Sequence, residues 1–331
     1  MRNSHNKVIG CLLACTWLLL IPRGLVATKV TPAHPLRGSN GGWVKYPQNP
    51  VLGGHLGTCF DICVLRSGRL YDMWYSWRPK KSIALVTSHD GIHWGKPIVV
   101  LGPDRKTGWQ DDVNRPVVVY RHKLFRMWYT GQTRTHSRIG YATSHDGIHW
   151  NRRARPVLSP AQPWERMAVM CPDVIWDRTS REYKMWYSGG DQYEPNAIGL
   201  AVSKNGISWT RFSNKPIFTA DKNHPWEQDR VTACQVIQQG PWYYMFYIGF
   251  ENVHRAAIGL ARSHNGADHW QRLPANPILF PGEGTWDADA CYKPFAIYDG
   301  KQWRLWYNGR RGTLEQIGVA FHKGRHLGFG R

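Results

Sequence analysis

The chain has 331 residues, 13% aromatic and 20% charged, and its 43 Lys and Arg against 23 Asp and Glu give a formal net charge of +20. That balance suits anionic surroundings such as an acidic glycan, a cell-wall surface or a membrane surface. Nucleic acid is excluded as a partner, because the basic residues are scattered, with no Lys/Arg run of five or more and no reader motif.

Arg2 and Lys7 precede an apolar run, Val8–Ile21, which is followed by Leu25-Val26-Ala27. Residues 1–27 therefore read as a secretory signal peptide, and the protein is expected to be exported. Leu12-Leu13-Ala14-Cys15 also fits a lipoprotein box loosely, which would anchor the exported chain at Cys15. Cleavage removes Arg2, Lys7 and Arg23 and no acid, which lowers the net charge to +17. No later stretch is long enough to span a bilayer. Residues 28–42 read as a disordered leader before a single domain at 43–331.

That domain is a repeat. The heptad Ser-His-Asp-Gly-Ile-His-Trp occurs at 88–94 and again at 144–150. Aromatic pairs at Trp74-Tyr75, Trp128-Tyr129, Trp186-Tyr187, Phe246-Tyr247 and Trp306-Tyr307 recur at spacings of 54, 58, 60 and 60. Around them, stretches such as 124–131 and 138–144 alternate apolar with polar and are rich in aromatic and β-branched residues, as half-buried strands are. Asp-Gly or Asn-Gly at 90–91, 146–147, 205–206 and 265–266 supplies the positive φ of tight hairpins. Four short strands per unit, five times over, predict an all-β, five-bladed β-propeller with four-stranded blades. The fifth copy lacks its last strand. Residues 43–52 match 270–279 in Trp, Pro, Asn-Pro and Leu, so the N-terminal strand is expected to complete the last blade and leave no open edge. Trp94 and Trp150 are then expected to pack between blades, as scaffold.

Chemistry should lie where the innermost strands converge. Their N-terminal ends carry Asp61; Asp111 and Asp112; Glu165 and Asp173; Glu227 and Asp229; Asp287 and Asp289. Arg115, Arg166, Arg230 and Lys293 stand beside them, and Trp109, Trp164, Trp226 and Trp286 recur at one register. Carboxylates do acid–base work at an anomeric centre, and indole faces stack on sugar rings. Repetition argues that Trp164-Glu165, Trp226-Glu227 and Trp286-Asp287 are scaffold, whereas Asp61 and Asp173 escape the repeated register.

Five blades, an acid opening the early innermost strands, Pro172-Asp-Val-Ile175 and the recurring Ile-Gly-Leu-Ala strands resemble the five-bladed glycosidase superfamily of glycoside hydrolase families 43, 32 and 130. The resemblance covers residues 43–329 and implies a glycosidase acting on an oligo- or polysaccharide. By position it implies Asp61 as general base, Asp112 (or Asp111) as orienting acid and Glu165 as proton donor, with Asp173 the alternative blade-three acid. Arg115, Trp109, Asp229, Arg230, Asp289 and Lys293 join Asp111 as implied substrate-binding residues. The chain departs from the family 43 His-Asp-Pro triplet, having Phe60-Asp61-Ile62. Hydrolysis, phosphorolysis as in family 130, and non-catalytic sugar binding stay open at this point.

No Cys-x-x-Cys pair or His-Glu-x-x-His motif occurs, so no transition metal or organic cofactor is expected. The resemblance implies only that an acid-rich channel can carry a structural calcium. After cleavage five Cys remain; Cys59 and Cys291 share a register in units that ring closure makes neighbours, and a disulfide there or buried thiols are both open.

Overall fold

A computed structural model describes residues 38–193 and 195–330. The expected signal peptide at 1–27, Cys15 and residues 28–37 of the expected leader lie outside the described residues. Among the described residues there is no α-helix; strands and short 3₁₀ turns account for the regular structure.

After the short β1 (Trp43–Lys45), strands β2 (Cys59–Ser67), β3 (Leu70–Trp77), β4 (Ser82–Ser88) and β5 (Ile98–Leu101) form an antiparallel meander. A second meander runs through β6 (Asp112–Arg121), β7 (Leu124–Gln132), β8 (Ser137–Ser144) and β9 (Asn151–Arg152). The third comprises β10 (Ala168–Asp177), β11 (Glu182–Gly190), β12 (Pro195–Ser203) and β13 (Thr210–Arg211). The fourth comprises β14 (Arg230–Gln239), β15 (Trp242–Asn252), β16 (Arg255–Ser263) and β17 (Gln271–Arg272). The last has β18 (Ala290–Tyr298), β19 (Gln302–Arg311) and β20 (Leu314–Lys323), and its fourth strand is β1, paired antiparallel with β20.

The match between 43–52 and 270–279 carries into the bonds. Asn276 Oδ1 accepts the N–H of Leu260 at 2.9 Å, and Asn49 Oδ1 accepts that of Val319 at 2.8 Å. Residues 38–42 differ from the expected disordered leader. Gly38 O accepts from Phe280 N and Asn40 N donates to Ile278 O, both at 2.9 Å, so backbone pairing holds the stretch in place.

The repeated heptad works as a clasp between units. Within it, Ser88 Oγ accepts the Gly91 N–H and Asp90 Oδ1 accepts those of Ile92 and His93; Ser144 and Asp146 repeat this turn. The turn's glycine carbonyl then accepts the indole N–H of the preceding unit: Trp74 to Gly147 at 3.0 Å, Trp128 to Gly206 at 2.8 Å and Trp186 to Gly266 at 2.7 Å. Trp306 of the last unit donates to Gly91 of the first at 2.8 Å. As expected, Trp94 and Trp150 pack between units, edge-to-face on Trp306 and Trp74.

A second repeated element is the Trp-acid pair. Trp109, Trp164, Trp226 and Trp286 fill the space left by paired glycines, where a Cβ on Gly131, Gly189, Gly249 or Gly309 would stand 2.3–2.4 Å from the indole. Beside each Trp, the acid or amide is locked by a cation from the outer strand: Arg152 on Gln110, Arg211 on Glu165, Arg272 on Glu227 and Lys45 on Asp287. Tyr129, Tyr187 and Tyr307 donate to Gln110, Glu165 and Asp287. Trp109, offered above as a sugar platform, is thus wall material: it is 2% exposed, stacked on Tyr129, with its N–H given to Ala154 O.

All five Cys of the described residues are free buried thiols, so the Cys59–Cys291 bridge is not formed. Cys291 Sγ instead lies 3.4 Å from Lys45 Nζ and 3.3 Å from Asp287, within the lock that holds β1.

Candidate functional site

Each innermost strand breaks its register once, and the breaks coincide. β2, β6, β10, β14 and β18 bulge between Phe60 and Ile62, Asn114 and Val117, Met170 and Asp173, Thr232 and Cys234, and Tyr292 and Phe295. The bulge residues Asp61, Arg115, Cys171, Ala233 and Lys293 have φ of 54°, 55°, 54°, 36° and 51°. Pro116, Pro172 and Pro294 follow three of them, and a proline cannot donate to the ladder. Bulges re-aim side chains, and left-handed backbone at non-glycine residues persists only where surroundings enforce it. Here the preceding unit does so: Asn308 Oδ1, Ser76 Oγ, Thr130 Oγ1 and Ser188 Oγ accept the N–H of Asp61, Arg115, Cys171 and Ala233.

All five bulge residues line one cavity of about 270 Å³. A second register supplies its wall, four residues beyond the first aromatic of each pair: Arg78, Gln132, Phe250 and Arg310. Tyr292, Tyr193 and Glu315 complete the polar lining. On the floor, the Asp61 carboxylate lies 3.6 Å from Arg115 Nε and 3.8 Å from Lys293 Nζ, and Ser76 Oγ donates to it at 3.4 Å. Asp61 is 3% exposed. Burial pulls the Arg115 guanidinium down, but Asp61 and then Asp112 and Glu315 more than offset this and leave it raised. At the rim Glu315 pairs with Arg78 at 3.0 Å. Gln132 Nε2 and Thr232 Oγ1 are buried against the cavity without a protein partner among the described residues.

The family model for the glycosyl hydrolases family 32 N-terminal domain matches residues 64–228. An uncharacterized protein of Mycobacterium tuberculosis is 30% identical over 157 residues, 43% of this chain and 50% of that protein. A 1,2-beta-oligomannan phosphorylase of Thermoanaerobacter sp. is 32% identical over 123 residues, 34% of this chain and 41% of the other. The chain thus spans half or less of the length of these curated relatives. Among solved structures, a glycoside hydrolase superposes with TM-score 0.69 at 17% identity, covering 87% of this chain and 92% of the other. A thermostable family-43 glycoside hydrolase gives 0.66 at 15% identity, over 87% and 97%. The chain is similar to the family 32 N-terminal domain over residues 64–228 and shares the fold of solved glycoside hydrolases.

Asp61, Arg115 and Lys293 are the implied site residues that meet in one cavity. Asp112 stands one step behind. It accepts from Asn114 Nδ2 at 2.9 Å, and Asn114 Oδ1 accepts from Arg115 Nη1 at 2.6 Å. Burial raises its pKa. With Asp111 it lines an adjoining recess that shares Gln132 and Tyr193 with the cavity.

Glu165 does not fit the proton-donor role that the resemblance implied. It is fully buried, its oxygens are taken by Arg211, Tyr187 and the N–H groups of Ala161 and Gln162, and it lies off the cavity. Burial opposes its ionisation, yet those partners hold its pKa below the ordinary value. Asp173 faces the other way. It accepts the Val236 N–H at 2.8 Å and lines a separate cavity with Trp176, Gln235 and Phe295, where burial pushes its pKa up to about 7. Asp229 is paired with Arg230 at 2.7 Å, and Asp289 accepts the Gly312 N–H at 2.6 Å; none of the three lines the cavity. Among the described residues no three His, Cys, Asp or Glu cluster as a metal site.

Arg78, Gln132, Tyr292, Arg310 and Glu315 were not singled out from the sequence. The register shared by Arg78, Gln132 and Arg310 is visible once the alignment runs past the aromatic pairs instead of stopping at them.

Proposed function

We propose that the protein is an exported carbohydrate-active enzyme that cleaves a glycosidic bond in the Asp61 cavity. In this reading the five meanders are the blades of one propeller closed by β1, and residues 1–27 direct export. The observation that carries it is a buried carboxylate presented on an enforced bulge into a cavity lined by buried polar atoms that have no partner among the described residues. Asp61 acts as general base toward the attacking water, while Arg115 and Lys293 hold its orientation. Glu315 is the second carboxylate lining the cavity and takes the proton-donor role in place of Glu165. Asp112 positions Arg115 through Asn114.

A phosphorylase reading is supported by the 32% identity to the oligomannan phosphorylase, with phosphate replacing water as the attacking group. Release of nitrophenol from aryl arabinofuranosides, xylosides, mannosides, fructosides and galactosides, with and without phosphate, separates the two. Turnover by the wild type that Asp61→Asn abolishes supports a glycosidase, and an absolute phosphate requirement supports the phosphorylase. Sugar binding without turnover in any arm would make the protein a binding propeller and overturn the enzyme reading.

A further inference from the structure

The lining of the Asp61 cavity carries four cations, Arg78, Arg115, Lys293 and Arg310, against two carboxylates, Asp61 and Glu315. A neutral sugar leaves that surplus unmatched, whereas an anion would meet it. The four cations lie at two levels. Arg115 and Lys293, each with a side chain 13% exposed, are both within ion-pair distance of Asp61 and are engaged by it. Arg78 is matched by Glu315. Arg310 Nη2 donates to the carbonyl of His254, and Arg310 stands opposite Glu315 in the β19–β20 ladder. Each level thus carries two cations against one carboxylate, and at the rim Arg78 and Arg310 occupy the same strand position in the first and last units.

We propose that the sugar held in this cavity is acidic, a uronic acid or similarly charged residue whose carboxylate is met at the rim by Arg310 with Arg78. The proposal rests on the cavity being the carbohydrate site. Guanidinium groups bind carboxylates through paired N–H bonds in a fixed fork, which gives geometry as well as charge. Gln132 Nε2 and Thr232 Oγ1, without a hydrogen-bond partner among the described residues, are left to meet ring hydroxyls. Inorganic phosphate offers the same oxyanion chemistry, but as an attacking group it would have to sit beside Asp61, where both cations are already engaged. The net charge of +20 acts in the same direction, drawing a polyanionic chain toward the protein.

The test is calorimetric titration of the full chain with matched methyl glycosides: glucuronic acid and glucose, galacturonic acid and galactose, mannuronic acid and mannose. At least one acid is expected to bind roughly tenfold or more tightly than its neutral partner, with the ratio shrinking in high salt. In Arg310→Gln and in Arg78→Gln the acid-to-neutral ratio should fall toward one, with melting temperatures confirming that each variant is folded. Neutral sugars binding as well as their acids would overturn the inference and leave the carbohydrate site standing. No binding of either kind would overturn both. Displacement of bound acid by millimolar phosphate, together with phosphate-dependent turnover of neutral mannosides, would reassign the rim arginines to phosphate and also overturn it.

Discussion

Asn308 Oδ1 accepts the backbone N–H of Asp61 at 3.0 Å, and Asn308 Nδ2 donates to Cys59 O at 3.2 Å, so one side chain near the end of the chain fixes the bulge that presents the cavity carboxylate. The first three bulges to follow it are capped by hydroxyls, Ser76, Thr130 and Ser188; the seam between the last unit and the first uses an amide that grips both sides of the bulge. The contact between the last unit and the first is therefore also a contact of the site. Asn308→Ala should cost about 1–3 kcal/mol, the penalty for stranding a buried N–H, and lower turnover further by loosening Asp61. Denaturant melts together with kcat measure both; a variant as stable and as active as wild type would show that the bulge holds itself.

Glu165 separates scaffold from chemistry. Removing it strands Arg211, so Glu165→Ala should lose about 3–5 kcal/mol, as breaking a buried ion pair does, while the folded fraction keeps its kcat. A proton donor would behave in the opposite way, with stability held and kcat falling on the order of 10²–10⁴-fold. The pH dependence has a sign. Because the folded-state pKa lies below the ordinary carboxylate value, the stability Glu165 contributes is present above the unfolded pKa and is lost as pH falls through the folded one. Urea melts between neutral and acid pH should show this loss in wild type and not in Glu165→Ala.

The repeat was legible because its marks are local: an aromatic pair, a two-residue turn and a Trp-acid step each sit within a few residues of chain. Asp61, Arg115 and Lys293, which share one cavity, stood out for the same reason, as charged residues on strands that the repeat superposes. The place of Glu165 was not legible by position, since its partner Arg211 lies 46 residues away on another strand. Glu315 and Arg310 were missed because they lie on β19 and β20, beyond the innermost strand where acids were sought. Only pairing across the seam brings them to Asp61. The bulges themselves left a trace, Pro116, Pro172 and Pro294 one residue after the positions they re-aim, that alternation of apolar and polar residues does not reveal.

Asp173 should make the protein pH-sensitive in the other direction. Its folded pKa of about 7 is raised by burial, with the Val236 N–H and Lys293 pulling against that rise. The stabilising contribution of the protonated group is complete below the unfolded carboxylate pKa and is lost as pH rises toward 7. Asn keeps an acceptor for Val236 and carries no charge, so Asp173→Asn should melt a few degrees above wild type at pH 8 and close to it at pH 4. Equal differences at both pH values would mean that Asp173 is ionised in the fold throughout.

The thiols offer a last check on closure. Cys59 and Cys63 are pushed up to about 12 by burial, and burial also raises Cys234 and Cys291. Thiolate is the reactive form, so these four should resist iodoacetamide in the folded protein. Cys171 differs in lining the cavity, so a small reagent can reach it there and a bound sugar should protect it. Under denaturing, non-reducing conditions all five should alkylate, as read by peptide mass spectrometry, and reductant should leave the melting temperature unchanged. Recovery of a Cys59–Cys291 peptide pair instead would mean that β2 of the first unit and β18 of the last are tied covalently, and that the Lys45–Asp287 ion pair at 2.6 Å does not hold the seam alone.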